Sequence, residues 1–370
     1  MIPLRVELLN GYSRRNPGDG WLIELAAALI EEAATFANAE ATITAVLVDA
    51  SSWDVPIKAE IAPLFGSSSK VGITFRGLER LLSDWPQRRT AVLGEPMRIA
   101  VGGGYLRSKT LKEAATVLVV HIPQLLGNVS VMLPQSIGPW KWMPERVVKR
   151  ILSAPHVLAR DDQTIEDLSK LGVHADRVAD MAVLEIAARG VPMDRVVGDR
   201  IVLSPRSVNG VDIVSGVHQI LDFYPEAELA YQAEVGSAND DRAFQRSAFP
   251  KRPTSSVRSV LDSLDQQVPV MIAGRLHAAL EAISRGVPAV HLGYERKSIA
   301  AFRDLGLADF VVDVRASEWA SDAADAARRI VVDPDAYWAR LLAQIPRLQD
   351  DRAKLIETLG VAMSRHISRG

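Results

Sequence analysis

Residues 268–280 read VPVMIAGRLHAAL, and this stretch decides the fold class of the chain. Its first five residues are apolar and rich in β-branched side chains, which is typical of a short buried strand. Gly274 then permits a sharp turn, and the leucines after it recur at helical spacing. The stretch therefore predicts a strand that passes directly into a helix, with Arg275 and His277 at the junction.

The junction at Arg275 and His277 has the features of an anion site. In open α/β sheets, ligands bind at the carboxyl ends of the strands. Helix N-termini at that edge present free N–H groups and a partial positive charge. A cation beside a titratable imidazole favours an anionic ligand that is handled with proton transfer. The alternative interpretation is that Arg275 pairs with a carboxylate and that His277 is a packed helix residue.

The same alternation of strand and helix extends along the chain. We expect strands at residues 4–9, 43–48, 71–75, 98–101, 129–133, 156–159, 200–203, 228–232, 268–273, 289–292 and 310–314. We expect helices at residues 21–36, 211–223, 254–266, 276–285, 297–305 and 318–330. Alternating elements of this kind predict βα units and parallel sheets.

The alternation breaks near Gly190, Pro192 and Gly198, which divides the chain into two parts. We expect one Rossmann-like domain over residues 1–190 and a second over residues 198–334, facing each other across a cleft. Residues 335–370 read as a helical tail that packs back on the first domain. A length of 370 residues is consistent with this division, because domains commonly contain about 150 residues.

Composition excludes several classes of protein. Hydrophobic residues make up 48% of the chain and charged residues 24%, which is ordinary for a soluble globular protein. The formal net charge of −2 gives no basic face for nucleic acid. The absence of Cys excludes disulfides, thiolate metal sites and Cys nucleophiles, and fits a reducing compartment. No apolar run reaches the ~20 residues of a membrane span, and the N-terminus lacks the layout of a signal peptide. We therefore expect a cytoplasmic protein.

Known catalytic motifs are mostly missing from the sequence. The seven His residues are scattered without metal-ligand spacing, so we expect no metal site. No G-x-S-x-G elbow, G-x-G-x-x-G fingerprint or phosphate-binding P-loop is present. The acidic pairs at residues 161–162 and 240–241 read as helix caps and surface charge rather than as the two carboxylates of a glycosidase.

Several loops that follow expected strands remain as candidates. Gly102–Gly104 lets backbone N–H groups approach a ligand, although close packing of helix on strand explains a glycine triplet nearly as well. Asn16–Asp19 either contacts a hydroxylated substrate or is simply a turn. Arg206 follows the first strand of the second domain, at the same sheet edge as Arg275, and Lys297 opens a later helix. Together these cations read as a clamp for a small anion with several charges.

Taken in order, these loops resemble the polysaccharide pyruvyl transferase family. The matching motifs are Asn16-x-Gly18-Asp19, Gly102-Gly103-Gly104, Gln135-Ser136-Ile137-Gly138-Pro139, Arg160-Asp161, Ala179-Asp180, Ser204-Pro205-Arg206, Arg275-Leu276-His277-Ala278, Gly286-Val287-Pro288 and Tyr294-x-x-Lys297. Each motif is common by itself, but their order and spacing together are specific.

The resemblance implies a fold similar to that of the two-domain GT-B glycosyltransferases. It also implies transfer of the pyruvyl group of phosphoenolpyruvate to sugar hydroxyls of a polysaccharide or its precursor, which gives a pyruvate ketal and phosphate. By this resemblance Arg206, Arg275 and His277 belong to the donor site in the second domain, and the first domain selects the acceptor. His277 is the expected acid–base residue, because imidazole exchanges protons near neutral pH.

The full set of expected site residues follows from these motifs. We expect His277 and Arg275 to be catalytic. The expected substrate-binding residues are Arg206, Lys297, Ser204, Leu276, Asn16, Asp19, Gly103, Gly104 and Gln135. We expect no cofactor other than phosphoenolpyruvate as co-substrate, and a saccharide as the acceptor. A lipid-linked acceptor would bring the enzyme to the inner face of a membrane. The alternative function is that of a GT-B glycosyltransferase with a nucleotide-sugar donor, in which Glu281 would be the acidic ribose ligand.

Overall fold

The computed structural model is an α/β protein that contains two large parallel sheets. It describes residues 1–47, 60–63, 95–104, 106–121, 124–125, 129–154, 156–192, 196–234, 240–264 and 267–369. The strand expected at residues 71–75 lies outside these described residues.

Fifteen strands are found in the described part of the chain. They are β1 Ile2–Gly11, β2 Ala39–Leu47, β3 Glu60–Pro63, β4 Met97–Ala100, β5 Leu106–Ser108, β6 Val131–Gln135, β7 Ile137–Trp140, β8 His156–Ala159, β9 Asp176–Arg177, β10 Val196–Ser204, β11 Glu228–Tyr231, β12 Thr254–Ser256, β13 Gln267–Ala273, β14 Ala289–Gly293 and β15 Val311–Asp313.

The α-helices of the described residues are α1 Pro17–Phe36, α2 Leu111–Val120, α3 Glu145–Ile151, α4 Asp162–Lys170, α5 Met181–Arg189, α6 Ile213–Phe223, α7 Asp241–Ala248, α8 Val257–Asp262, α9 Leu276–Ser284, α10 Arg296–Asp304, α11 Trp319–Val332, α12 Pro334–Leu342 and α13 Ile345–Ile367. A short 3₁₀ helix covers Ala308–Phe310.

Both large sheets have the strand order of a Rossmann fold. The first sheet runs β3-β2-β1-β4-β6-β8-β9 and the second runs β12-β11-β10-β13-β14-β15. The strand pairs within them are parallel. When the strands of each sheet are numbered from its own first strand, both orders begin 3-2-1-4-5-6, which is the doubly wound Rossmann arrangement. The expected α/β class with two Rossmann-like domains is confirmed.

This strand order fixes where a ligand site can form. The order reverses direction between β1 and β4 in the first sheet, and between β10 and β13 in the second. Ligands of open α/β sheets bind outside the carboxyl ends of the strands at such a switch point. In the second sheet, Ser204 and Ala273 are paired there, at the ends of β10 and β13. The segments that follow these two residues are therefore the first place to look for chemistry.

Two local expectations from the sequence are wrong. Helix α1 begins at Pro17 rather than at residue 21, so the stretch 16–19 is a helix start and not a free turn. Proline is well tolerated at the first position of a helix, and the negative charge of Asp19 in the first turn interacts favourably with the positive end of the helix dipole. The helix expected at 254–266 is instead strand β12 followed by α8, because residues 254–256 pair with β11 and Ser256 caps the helix by accepting from the Ser259 N–H.

By its internal contacts the chain divides into two compact units. Unit 1 comprises residues 1–14, 19–181 and 352–370, and unit 2 comprises residues 15–18 and 182–351. This division differs from the expected ranges in three places: residues 15–18, 182–190 and 335–351 all group with unit 2. Only the last part of the expected helical tail groups with unit 1. The domain ranges given above from the sequence stay a prediction.

The C-terminal helices help to build both cores. In unit 2, Tyr337 of α12 is fully buried, donates a hydrogen bond to the Ala289 carbonyl and accepts one from the Ala289 N–H. In unit 1, the end of α13 buries Leu359, and Gly360 lies so close to the ring of Phe36 that a Cβ atom there would overlap it. The end of α13 is thus part of the core of unit 1.

We expect Leu359→Ala to lower the free energy of unfolding by about 2–5 kcal/mol, because it removes a fully buried side chain and leaves a cavity. Chemical denaturation followed by circular dichroism measures this loss. Leu342→Ala is the matched control, since Leu342 is 45% exposed and its truncation should change stability by less than about 1 kcal/mol. Equal losses in the two variants would show that the end of α13 does not contribute to the core.

Candidate functional site

The switch point of unit 2 brings the loops of Arg206 and Arg275 side by side. The N–H of Gly274 donates a 2.8 Å hydrogen bond to the carbonyl of Ser204, the last residue of β10. A Cβ atom at position 274 would lie 2.9 Å from Cγ of Arg206 and 3.2 Å from its backbone nitrogen. Glycine at 274 therefore allows the strand-to-helix turn to pack directly against Arg206. The two loops that the sequence placed at one sheet edge do meet there.

Arg206 carries a charge that the described chain does not neutralise. Its guanidinium lies 6.0 Å from the ring centroid of Tyr294 and donates a 3.4 Å hydrogen bond to the carbonyl of Ser207. Among the described residues, no carboxylate is within ion-pair distance of Arg206. Arg206 is only partly buried, so its charge can reach a ligand at the edge of the sheet.

Arg275 is held by a carboxylate from another helix. Its Nε donates to Oδ2 of Asp241 at 2.5 Å and its Nη2 donates to Oδ1 at 2.8 Å. The Asp241 side chain is 4% exposed, and Oδ2 also accepts a 3.1 Å hydrogen bond from the Ala233 N–H. Bidentate pairing of this kind fixes the plane of a guanidinium. Arg275 therefore does pair with a carboxylate, as the alternative interpretation expected. A catalytic role for Arg275 stays a prediction.

The interpretation of residues 240–241 as a helix cap and surface charge is correct for Asp240 and wrong for Asp241. Asp240 caps α7 by accepting from the Ala243 N–H, as expected. Asp241 is not surface charge, because it is buried and bonded to Arg275. The two partners are 34 residues apart, so local sequence carried no signal for the pair. Asp161, of the other acidic pair, is also a cap: it accepts from the Thr164 N–H at the start of α4.

His277 lies in the first turn of α9 and is packed against the start of α1. A Cβ atom at Gly18 would lie 2.7 Å from both Cβ and Nδ1 of His277. Residues 15–18 group with unit 2, so Asn16 of the same motif belongs to the unit that contains His277. Asp19 of that motif groups with unit 1. The glycine at 18 is thus the close neighbour that sets the space available to the imidazole ring.

Lys297 lies in the first turn of α10, directly after β14. Its Nζ is 2.9 Å from Oε2 of Glu295, and the lysine side chain is 32% exposed. Lys297 and Arg206 both act electrostatically on one buried histidine, His291, whose pKa they lower. Arg206 follows β10 and Lys297 follows β14, so both come after the carboxyl ends of strands of one parallel sheet. The binding roles expected for them stay predictions.

His291 is a candidate that sequence reasoning missed. It is the third residue of β14, is 1% exposed and stacks on Phe302 with ring centroids 5.5 Å apart. Burial, together with the charges of Lys297 and Arg206, lowers the pKa of His291 to about 4, while the hydrogen bond to the Ala273 carbonyl and the charge of Glu295 oppose this shift. A histidine in an apolar strand reads as a packed core residue. What marks His291 out is that the charges of Lys297 and Arg206 both act on it.

In unit 1, three of the family-like motifs form one buried hydrogen-bond network. Arg160 donates from Nε to Oγ of Ser136 at 2.9 Å and pairs through Nη1 with Asp180. Ser136 donates to Oδ2 of Asp161 at 2.5 Å. All four side chains are buried, so these motifs join the ends of β6, β8 and the start of α5 rather than face solvent. Their role in the described structure is to fix this edge of the unit 1 sheet.

The glycine triplet has a packing role at its first position. A Cβ atom at Gly102 would overlap the carbonyl oxygen of Pro134, so the strand ends can approach only with glycine there. The carbonyl of Gly103 accepts a 2.8 Å hydrogen bond from the Ser136 N–H. Gln135 is 4% exposed, and its Nε2 has no hydrogen-bond partner among the described residues. The binding roles expected for Gly103, Gly104 and Gln135 stay predictions.

The other two expected binding residues of unit 2, Ser204 and Leu276, lie at the switch point, and their binding roles stay predictions. Ser204 is buried at the end of β10, and Leu276 is buried at the first position of α9.

Within the described residues, no group of three or more His, Asp or Glu side chains is arranged to hold a metal ion. None of the described helices is both long enough and apolar enough to cross a membrane.

Comparison of the sequence with models of protein families identifies the family of this chain. A model of the family described as polysaccharide pyruvyl transferase matches residues 66–296, which is more than half of the chain. Comparison with curated proteins returned no significant match.

Comparison with solved structures shows which proteins share the fold. UDP-GlcNAc 2-epimerase from Neisseria meningitidis matches with a TM-score of 0.56 and 10% identity, over 97% of this chain and 99% of that one. MnaA of S. aureus, solved with UDP, matches with a TM-score of 0.53 and 12% identity, over 95% of each chain. A trehalose 6-phosphate synthase from Burkholderia multivorans matches with a TM-score of 0.52 and 13% identity, over 100% of this chain and 99% of that one. At these identities the likeness shows the fold alone, and the GT-B-like class is confirmed.

We expect Asp241→Ala to lower the free energy of unfolding by about 3–5 kcal/mol, because it removes the buried carboxylate that pairs bidentately with the Arg275 guanidinium. Asp262→Ala is the matched control, since Asp262 pairs with Arg285 at the surface and its side chain is 60% exposed. The control should lose less than about 1 kcal/mol. Urea denaturation of both variants measures the difference, and a loss at Asp241 no larger than at Asp262 would contradict the buried-pair interpretation.

Proposed function

Because the chain belongs to the polysaccharide pyruvyl transferase family, we propose that it moves the pyruvyl group of phosphoenolpyruvate onto two hydroxyls of a saccharide. The product is a cyclic pyruvate ketal, and inorganic phosphate is released. Unit 2 binds the donor at its switch point, and unit 1 supplies the acceptor side. The donor is a three-carbon molecule with a carboxylate and a phosphate, so its site needs several cations close together.

One observation carries the donor assignment: the loop of Arg206 packs against Gly274 at the switch point, where the Gly274 N–H donates to the Ser204 carbonyl. Arg206 lies beside Gly274, so Arg275 is the next residue along the same edge. Arg206, Arg275 and Lys297 thus follow β10, β13 and β14, which are neighbouring strands of one sheet. Arg206 has no carboxylate partner among the described residues. A guanidinium binds phosphate or carboxylate through paired hydrogen bonds, whereas an ammonium acts as a compact charge.

His277 is the residue that transfers the proton in this proposal. A first sugar hydroxyl adds to C2 of the enol, and its proton is delivered to the methylene carbon, which becomes the methyl group of the ketal. A second hydroxyl then displaces phosphate from C2 and gives its proton to the leaving group. The atoms balance without any other reactant. His277 suits the first transfer because imidazole both accepts and donates a proton near neutral pH.

The acceptor side is proposed from the carboxyl edge of the unit 1 sheet. Gly103 and Gly104 follow β4, and Gln135 ends β6, next to it in the sheet. The buried amide of Gln135 has one nitrogen without a partner among the described residues, which suits a hydrogen bond to a sugar oxygen. A saccharide acceptor that carries a lipid would bring the enzyme to the inner face of the membrane.

The nucleotide-sugar alternative lacks the acidic ligand that the sequence offered for it. Glu281 lies within α9, is 7% exposed and accepts hydrogen bonds from Arg285 at 3.0 Å and from Arg258 at 3.4 Å. Its carboxylate is therefore engaged in holding helices together. This favours phosphoenolpyruvate over a nucleotide sugar as the donor.

We expect phosphoenolpyruvate to stabilise the protein by about 2–3 kcal/mol at a concentration one hundred times its Kd, and UDP-sugars to give no such effect. Thermal shift measures both. Arg206→Ala should abolish the shift, because it removes the cation that no carboxylate neutralises. Arg200→Ala is the matched control: Arg200 lies earlier in β10 and pairs with Glu228. Stabilisation by a nucleotide sugar but not by phosphoenolpyruvate would reject the proposal in favour of the glycosyltransferase.

We expect His277→Ala to lower kcat about 10²–10⁴-fold while the Kd for phosphoenolpyruvate stays within a few-fold, because an acid–base group contributes mainly to the transition state. Phosphate release in the presence of a saccharide diol measures kcat. His218→Ala controls for the loss of an imidazole, since His218 is exposed on α6 in the same unit. A variant at 277 with normal kcat would remove the histidine from the mechanism.

A further inference from the structure

The Nε2 atom of His291 has no hydrogen-bond partner among the described residues, although it is fully buried. A buried polar atom without a partner costs about 1–3 kcal/mol of stability. Such atoms are uncommon in native structures, and each calls for a physical reason. His291 lies one strand from the switch point, on β14 next to β13.

The other ring nitrogen of His291 determines what Nε2 can do. Nδ1 lies 2.9 Å from the carbonyl oxygen of Ala273, at the end of β13. A carbonyl oxygen only accepts, so Nδ1 carries the hydrogen of the neutral ring, and Nε2 is then a lone-pair acceptor. Nε2 donates a hydrogen bond only when the ring takes up a second proton.

Gly293 leaves space beside this nitrogen. A Cβ atom at position 293 would lie 3.3 Å from Nε2 and 3.1 Å from Cδ2 of His291. Gly293 is not among the glycines with positive φ, so its backbone conformation does not itself require glycine. Glycine at 293 therefore leaves, beside the buried Nε2 atom, the space that the Cβ atom of any other residue would take.

The charged groups around the ring favour an anion. Lys297 and Glu295 approach from the start of α10, and Arg206 approaches from the loop after β10. Two uncharged residues also contact or pair with His291: Phe302 of α10 stacks on the ring, and Val311 of β15 is its strand partner. Two cations against one carboxylate give this point a positive balance.

We propose that His291 is an additional contact of the donor's phosphate group, with a protonated Nε2 that donates to a phosphate oxygen held by Arg206 and Lys297. This rests on the proposed function, since it assigns the phosphate end of that donor. Binding then takes up a proton at His291. The partnerless nitrogen, the space at Gly293 and the two cations are all explained by this one contact.

The proposal gives a definite pH dependence. In the free protein the pKa of His291 is lowered to about 4, so the ring is neutral at pH 7. A dianion next to the ring raises that pKa, so the affinity falls as pH rises through the pKa of the bound state. If the anion restores the ordinary pKa of about 6.5, affinity falls about tenfold between about pH 5.5 and about pH 7.5.

Sulfate is the appropriate probe, because it is a phosphate-like dianion whose own charge does not change in this range. Calorimetry with the full chain in buffers of different ionisation enthalpy measures the protons taken up on binding. We expect uptake in the wild type and its loss in His291→Phe, which keeps the ring that stacks on Phe302. His218→Phe, at an exposed histidine of the same unit, should keep both the affinity and the uptake.

Spectra of the protein with ¹⁵N-labelled histidine test the same point without substitution, by showing whether sulfate protonates His291. Sulfate that fails to bind, or that binds with the same pH dependence in His291→Phe as in the wild type, overturns the proposal. Its failure is distinct from that of the proposed function. If the wild type releases phosphate from phosphoenolpyruvate but His291→Phe binds sulfate with normal affinity, this contact alone is rejected. If sulfate binding protonates His291 but no phosphate is released from phosphoenolpyruvate, the reaction alone is rejected.

Discussion

The pairing of β10 with β13 is the constraint on which the candidate site depends. These strands are adjacent in the sheet although two strands, β11 and β12, lie between them along the chain. Their last residues, Ser204 and Ala273, are in register. The hydrogen bond from Gly274 to Ser204 continues this pairing one residue beyond the sheet. Arg206 and Arg275 come from sequence positions far apart, so only this register brings them to one edge. The backbone thereby fixes the location of the charges before any side chain contributes.

Much of this arrangement could be predicted from the sequence because it follows from local patterns. The apolar run before Gly274 indicated a buried strand, the leucines after it indicated a helix, and the junction placed Arg275 and His277 at a sheet edge. The alternation of such units was enough to predict two parallel sheets. The motif at 16–19 was harder to predict, since Asn-Pro-Gly-Asp forms a good turn as well as a good helix start. In the structure it is a helix start, and Gly18 lies against His277.

The parts that could not be predicted are the long-range contacts of buried polar groups. Asp241 looked like surface charge because its neighbours in sequence are polar, and its partner Arg275 lies on another helix. His291 looked like core because its neighbours in β14 are apolar. In both cases the sequence gives the local environment correctly, but the chemistry depends on a group brought close by the fold. Buried polar residues require partners, so they are the positions at which local interpretation fails most.

The carboxylates at this edge also explain how a protein with a net charge of −2 can keep several cations together. Like charges at one sheet edge repel each other, and Asp241 and Glu295 offset this repulsion. Asp241 is buried and bidentate, so it holds Arg275 in a fixed orientation. Glu295 is closer to solvent, and the compact ammonium of Lys297 can contact a second anion without leaving it. Arg206 is left with its charge uncompensated by the described residues. The pairs of Arg275 and Lys297 thus preorganise this edge for the proposed donor.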